Sequence, residues 1–157
     1  MVGKDFDIIA QEQFKFLESV YSFKLSKCEK ENFGYELLYL NDTTGVKITY
    51  EYREAYIFIM LYQLIKGELH ENPRNIMNNS IIYCYSLDDL IRLRNPKALI
   101  RLAYEYEEKS EYYNVADGLS LYVSAFASNL KTYAKGDFTI FSELNMIVKK
   151  RVENYKK

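Results

Sequence analysis

Few residues in this chain could support a reaction, and they lie far apart in the sequence. There is one His, at position 70, and there are two Cys, at positions 28 and 84. His70-Glu71 begins like the HExxH zinc motif, but Arg74 stands where the second His would be. One His and two remote Cys supply no structural zinc set by their spacing. We therefore predict neither a metal site nor a bound cofactor.

The motifs of nucleophilic and nucleotide chemistry are missing as well. The six Gly stand singly, so the sequence has neither a P-loop nor a dinucleotide-binding fingerprint. A Ser–His–Asp triad would have to use His70, and no Ser lies in a GxSxG elbow. Cys84 lies in the apolar run IIYCY, where we expect a small hydrophobic residue rather than a nucleophile.

Two pairs of carboxylates could in principle act as the acid and base of a glycosidase. Asp88 and Asp89 fall in the first turn of a predicted helix, where capping and the helix dipole account for them. Glu51 and Glu54 flank a predicted hairpin turn, where we expect them to be solvated. The sequence therefore predicts a protein that is not an enzyme.

The elements that would position these groups begin with a helix and continue with strands. Phe6, Ile9, Phe14 and Leu17 recur at a spacing of three and four residues, which predicts one amphipathic helix at the N-terminus. Short runs rich in strand-forming residues follow, separated by turn residues. The predicted strands are Ser22–Glu31, Tyr35–Leu40, Val46–Tyr52, Tyr56–Tyr62 and Ser80–Tyr85.

The residue patterns of two of these strands predict which faces of the sheet are packed and which are exposed to water. Val46–Tyr52 alternates apolar with polar residues, which is typical of an antiparallel strand with one packed and one wet face. Tyr56–Tyr62 is apolar on both faces, which predicts a strand that is covered on both sides. A turn at Asn41–Gly45 would join the first of them to the preceding strand, with Gly45 at positive φ.

The C-terminal half is predicted to be helical. Ser86 and Asp89 resemble a capping box, and Gly136-Asp137 would end one helix and cap the next. We predict an α+β fold in a single domain, residues 1–157, with a four- or five-stranded antiparallel meander and C-terminal helices packed on the sheet. The predicted helices begin at Leu87, run over Pro96–Ser110 and Val115–Lys135, and begin again after Asp137.

Charge and composition limit the class of partner. The net charge of −1 offers no global field that would draw the chain to nucleic acid or to an anionic membrane. Charged residues interrupt the N-terminal stretch MVGKDFDIIAQEQF, unlike a signal peptide, and no apolar run is long enough to span a bilayer. These features predict a cytoplasmic protein that contacts neither nucleic acid nor membrane.

Local charge is uneven near the C-terminus. Residues 101–120 hold five acids against two bases, with Tyr interleaved, and residues 144–157 hold five bases against one acid. Carboxylates steer the encounter with a basic partner and Tyr supplies contact area, so an acidic, Tyr-rich ridge is a candidate docking surface. Its predicted contact residues are Glu105, Glu107, Glu108, Glu111, Tyr112 and Tyr113.

The segment Asn129–Val152, NLKTYAKGDFTIFSELNMIVKKRV, has a recognisable form. A helix closes in a GDF turn, and a helix bearing Phe and Leu then ends in the basic residues Lys149-Lys150-Arg151. The opening FKFLESVYSFKL and the strand VKITYEYR add to this form. The chain thus resembles small bacterial immunity-type proteins, which are encoded beside polymorphic toxins. The resemblance implies a non-catalytic inhibitor that binds a toxin one to one, and it carries no functional residues over to this chain.

Two other functions are compatible with the residues. A ligand-binding or enzymatic domain could have a pocket between the sheet and the helices, lined by Tyr50, Tyr52, Tyr56 and Tyr62. A self-associating module could instead pair an exposed edge of the meander with a second copy and form a homodimer.

Overall fold

The computed structural model describes residues 6–51, 56–94 and 137–155, and elements are numbered within that part of the chain. It shows an α+β arrangement of N-terminal helix, five-stranded antiparallel sheet and C-terminal helix. The predicted helices within 96–135, the Gly136 cap, Tyr52 and Glu54 lie outside the described residues. The helices are α1 (Phe6–Gln13), α2 (Lys15–Tyr21), α3 (Leu87–Arg94) and α4 (Phe141–Tyr155), and the strands are β1 (Lys24–Lys30), β2 (Gly34–Leu40), β3 (Thr44–Glu51), β4 (Tyr56–Gln63) and β5 (Cys84–Ser86).

The predicted N-terminal helix is present but is interrupted at Phe14. This residue has φ −98° and ψ 13°, and its ring is fully buried. The backbone N–H of Leu17 donates to the carbonyl of Phe14 at 3.0 Å, which begins α2. The helix ends at Ser22, which adopts the left-handed conformation with φ 61°. The three- and four-residue spacing therefore predicted the helix correctly, and only the break escaped it.

The sheet is a simple meander in which every strand pairs with its sequence neighbour. Its order is β1-β2-β3-β4-β5 and every pairing is antiparallel. Leu37 lies opposite Ile48, and Ile48 lies opposite Ile59, so one apolar row crosses the middle of the sheet. The connections between β1, β2 and β3 are short, as the turn residues there had indicated, whereas the loop of residues 64–83 joins β4 to β5.

Two turns fix the position of β2. Gly34 begins the strand, and a Cβ built there would lie 1.6 Å from the carbonyl oxygen of Tyr50, so this close approach of backbones requires glycine. At the other end, Asn41 Oδ1 accepts hydrogen bonds from the backbone N–H groups of Thr43 and Thr44 at 3.0 and 2.8 Å. The predicted turn is therefore made by the Asn41 side chain. Gly45 lies inside β3 without positive φ, so that detail of the prediction was wrong.

The main core lies on one face of the sheet, beneath the helices. The alternation predicted for β3 is confirmed, because Val46, Ile48 and Tyr50 are buried while the residues between them are partly exposed. Phe6 of α1 stacks on the Tyr50 ring with centroids 4.7 Å apart. Burying such rings removes a large apolar area from water, which is the main force that holds α1 on the sheet.

The second face of β4 is covered only in part. Phe58 is 45% exposed and Met60 is half-buried, whereas Tyr62 is buried. The prediction that both faces are covered therefore holds at the Tyr62 end of the strand. There, Tyr62, Leu64 and Cys84 form a small second core with Leu40, Met60 and Leu69 packed against it.

The helices after the sheet begin in different ways. The Asp89 backbone N–H donates to Ser86 Oγ at 3.1 Å, which confirms the predicted cap of α3. Asp137 was expected to cap the last helix, but its Oδ1 accepts hydrogen bonds from the backbone N–H and Oγ1 of Thr139, and α4 begins only at Phe141. The Asp137 side chain thus accepts these hydrogen bonds within the turn that precedes α4 rather than in the first turn of the helix.

Candidate functional site

His70, Cys28 and Cys84 are the side chains whose types could in principle support a reaction. His70 is half-buried, and its ring lies 5.1 Å from that of Tyr83. Burial raises the pKa of the Cys84 thiol to about 11, and burial with the nearby Asp7 charge raises the pKa of Cys28. A raised pKa keeps both thiols protonated at neutral pH, and the thiolate is the nucleophilic form. In the described ranges, no group of three His, Cys, Asp or Glu side chains could hold a metal ion.

The densest polar cluster lies on the second face of the sheet and joins Tyr62, Glu71 and Lys47. The Tyr62 hydroxyl donates to Glu71 Oε1 and Oε2 at 3.1 and 2.9 Å. Lys47 Nζ donates to Glu71 Oε1 at 2.5 Å and lies 5.2 Å from the centre of the Tyr62 ring. Burial and the Glu71 carboxylate raise the pKa of Tyr62, so the phenol stays a donor. Glu71 belongs to the loop of residues 64–83, whereas Lys47 and Tyr62 belong to β3 and β4, so these contacts attach the loop to the sheet.

Asn72 makes a second attachment between that loop and the sheet. Its Oδ1 accepts from the backbone N–H groups of Tyr83 and Cys84 at 2.7 and 3.2 Å, and its Nδ2 donates to the Cys84 carbonyl at 3.0 Å. The Tyr83 carbonyl accepts a hydrogen bond from the Gln63 backbone N–H of β4. The backbone groups of the next residue, Cys84, therefore point away from β4, towards the open edge of the sheet. The Asn72 amide therefore takes the place of a further strand beside β5.

A cleft lies between α4 and residues 76–79 of the loop. It consists of two adjoining hollows of about 480 and about 690 Å³ that share Asn78, Lys149 and Glu153. Such volumes are within the range of binding sites in proteins. The lining residues are Ile76, Met77, Asn78 and Asn79 from the loop, and Asn145, Met146, Ile147, Lys149, Lys150, Val152 and Glu153 from α4.

The two rims of this cleft carry exposed methionines. Met77 on the loop side is 59% exposed and Met146 on the helix side is 72% exposed, while Ile76 and Ile147 are half-buried beneath them. Lys149 Nζ donates to the Asn78 carbonyl at 2.7 Å and so ties the two walls together. The cleft thus has exposed methionines, half-buried isoleucines and one hydrogen bond that links its two walls.

The helix wall of the cleft is firmly attached to the rest of the molecule. Phe141 packs edge-on against Tyr85, with ring centroids 4.7 Å apart, and Leu144 is buried. Arg151 binds Asp89 of α3 through Nη2–Oδ1 at 2.7 Å and Nη1–Oδ2 at 3.3 Å, which is a two-point contact. Phe141, Leu144 and Arg151 thus anchor α4 to the rest of the fold, and residues 146, 149, 150 and 153 of the same helix line the cleft.

Of the four Tyr of the predicted ligand pocket, Tyr50 and Tyr62 lie on opposite faces of the sheet. Tyr50 lies opposite Ile57 on the main core face, whereas Tyr62 lies opposite Gly45 on the other face. Both rings are buried and neither hollow of the cleft includes them. A pocket shared by Tyr50 and Tyr62 is therefore ruled out. Tyr52 and the side chain of Tyr56 lie outside the described residues.

Both edges of the five-stranded sheet are protected against pairing. β1 carries Lys24, Lys27 and Lys30, and a bulge shifts its register between Leu25 and Lys27. Edge lysines and bulges are common devices against edge-to-edge association. β5 is only three residues long and is covered by Asn72. These features disfavour the hypothesis that the chain self-associates through a sheet edge.

The predicted docking residues and the observed cleft come from different parts of the chain. The six residues of the acidic ridge, Glu105 to Tyr113, lie outside the described residues. Sequence reasoning missed the cleft, although two signals were present: Met146 is apolar but off the inward stripe of the last helix, and Met77 is apolar within an Asn-rich loop. Neither signal indicates that the two residues line the same cleft, because they are far apart in the sequence.

Fold and site together define an α+β antiparallel-sheet protein with a cleft that includes two exposed methionines among its lining residues. Comparison with known proteins found no matching family model, no matching curated protein and no matching solved structure. Within residues 6–51, 56–94 and 137–155, no helix has the length and apolar character needed to cross a bilayer.

Proposed function

We propose that this chain is a non-catalytic, cytoplasmic protein-binding module, of the immunity-like kind that inhibits a toxin by direct contact. The cleft between α4 and residues 76–79 carries the proposal. It combines exposed Met77 and Met146 with walls that the Lys149–Asn78 hydrogen bond links to each other.

Methionine at this degree of exposure favours a binding role. Its unbranched, polarisable side chain adapts to many partner shapes, and methionines are common on protein-binding surfaces. Met77 lines one hollow and Met146 lines the adjoining one, and exposed apolar side chains of this size cost free energy in water that a partner covering them recovers. The neighbouring Lys150 and Asn79 are exposed and provide a polar rim, as protein interfaces have.

The state of the reactive groups supports the non-catalytic part of the proposal. Tyr62, Glu71 and Lys47 bond to one another, and the raised pKa values of Cys28 and Cys84 favour the protonated thiol over the nucleophilic thiolate. With a net charge of −1, the partner is expected to be a protein rather than nucleic acid or membrane. The acidic ridge of residues 105–113 remains a predicted second contact with that protein.

The test is co-expression of this chain with the product of the neighbouring gene. We expect a complex on a sizing column and rescue of growth from the toxic product, both weakened by Met146→Gln. Ile8→Gln is the matched control, because Ile8 is also an exposed apolar residue on a helix but lies outside the cleft. The absence of both complex and rescue, or equal loss in the two variants, would contradict the proposal.

A further inference from the structure

We propose that the cleft receives a helical segment of the partner protein that is acidic on its polar side and apolar on the side facing the methionines. The proposal rests on the proposed function and adds the chemical class of the segment that is bound. Three features of the cleft support it: the arrangement of its lining residues, its charge and its amide groups.

The lining residues favour a helix over an extended strand. On α4, Met146, Lys149, Lys150 and Glu153 follow the i, i+3, i+4, i+7 spacing of one helix face. This face rises by about 12 Å between residues 145 and 153, enough to contact roughly two turns of a partner helix. The walls of the cleft are a helix and a loop and include no strand edge, so strand addition is not available there.

The charge of the cleft favours an acidic segment. Of its ionisable residues, Lys149 and Lys150 are basic and only Glu153 is acidic. Lys150 is exposed and pairs with no carboxylate in the described part of the chain. Complementary charge across an interface raises the association rate and selects against like-charged partners. Glu153 lies at one end of this face, so we expect the acids of the segment to lie at the other end.

The amides of the cleft complete this recognition surface. Asn78 and Asn79 from the loop and Asn145 from the helix stand along both walls. Amide side chains both donate and accept hydrogen bonds, so they suit the polar groups that flank the apolar side of a bound segment. The apolar floor below them, Ile76 and Ile147, would contact the apolar side itself.

The experiment is selection from a displayed library of helix-biased peptides of about 16 residues, a little over four turns. The protein is presented as wild type, and binders are counter-selected against Met146→Gln. We expect the enriched peptides to carry net negative charge with apolar residues three and four positions apart. Enrichment of basic or neutral peptides, or no enrichment over the counter-selected variant, would overturn the proposal.

Lys150→Glu tests the charge directly on one enriched peptide, by fluorescence anisotropy. Reversal of one exposed charge should weaken binding about fivefold at low salt, with the difference shrinking as salt screens it. Lys15→Glu is the control, since Lys15 is an exposed lysine on α2 outside the cleft. Equal affinities of wild type and Lys150→Glu would refute an acidic ligand. A neighbouring-gene complex that needs Met146 but not Lys150 would leave the proposed function standing and refute only this inference.

Discussion

At the residue scale, the clearest feature is a surface glutamate that holds a buried tyrosine. Glu71 has a side chain 58% exposed, yet it accepts hydrogen bonds from both Tyr62 and Lys47. Burial alone would raise the pKa of the Glu71 carboxyl, but the hydrogen bonds from Lys47 and Tyr62 outweigh it and lower the pKa below the usual 4.5. Glu71 therefore stabilises the fold as a carboxylate and not as a carboxylic acid.

This gives a pH-dependent prediction for Glu71→Gln. Because the pKa is lower in the folded than in the unfolded chain, the stabilisation is complete above the unfolded value and is lost as pH falls through the folded one. We expect the variant to lose up to about 1 kcal/mol at pH 7, after allowance for solvent screening. The difference from wild type should shrink below about pH 4.5.

Urea unfolding between pH 7 and pH 3 measures this difference. Glu68→Gln is the control, because Glu68 is exposed in the same loop and makes no ion pair in the described part of the chain. If the gap between wild type and Glu71→Gln stayed constant across the pH range, the carboxylate would not be the stabilising form.

At the element scale, the contact between α3 and α4 depends on one buried carboxylate. Asp89 is 7% exposed and binds Arg151 of α4 as well as Arg92 of its own helix, the latter at 2.8 Å. Hydrogen bonding to Asp89 raises the pKa of Arg151. Asp89 was expected to take part in capping its helix and to complement the helix dipole, and in the structure its carboxylate also binds Arg151 of the helix that forms one wall of the cleft.

Asp89→Asn should therefore destabilise the protein by about 2 kcal/mol, because both arginines lose a charged acceptor and one amide N–H faces them. Glu143→Gln is the control, since it removes a carboxylate from the first turn of α4 and should cost about 0.5 kcal/mol through the dipole. Chemical denaturation gives both free energies of unfolding. Equal losses in the two variants would show that the dipole alone accounts for Asp89.

At the scale of the whole molecule, protection of the sheet edges decides whether copies of the chain associate. The β1 edge carries three lysines and a bulge, and the β5 edge is occupied by the amide of Asn72. An uncovered edge would present unpaired backbone groups to any other strand. The protection of both edges leaves the cleft as the main candidate binding surface in the described part of the chain.

Asn72→Ala tests the protection of the β5 edge. Removing the amide leaves the N–H groups of Tyr83 and Cys84 and the Cys84 carbonyl without their partner, which should cost about 1–3 kcal/mol. We also expect light scattering to show a mass that rises with concentration for the variant but not for wild type. Asn75→Ala, an exposed Asn in the same loop, is the control and should change neither property. A wild-type dimer, or an unchanged variant, would contradict this account of the edge.

The sequence by itself determined the fold class, a four- or five-stranded antiparallel meander and the packed face of β3, and it left the strand order open. The packed face follows from local periodicity, because alternation assigns each side chain to one face of the sheet. The break at Phe14 and the start of α4 were missed, since a buried ring and an Asx turn overrode the helical pattern there.

Only the tertiary structure decided which distant residues meet. Asp89 and Arg151 are 62 positions apart, Lys149 and Asn78 are 71 apart, and no periodicity connects either pair. Met77 and Met146 are likewise far apart in the sequence, and they line adjoining hollows of one cleft because α4 lies against the loop. Faces and strands come from interactions between near neighbours in sequence, whereas the binding surface comes from packing between distant elements.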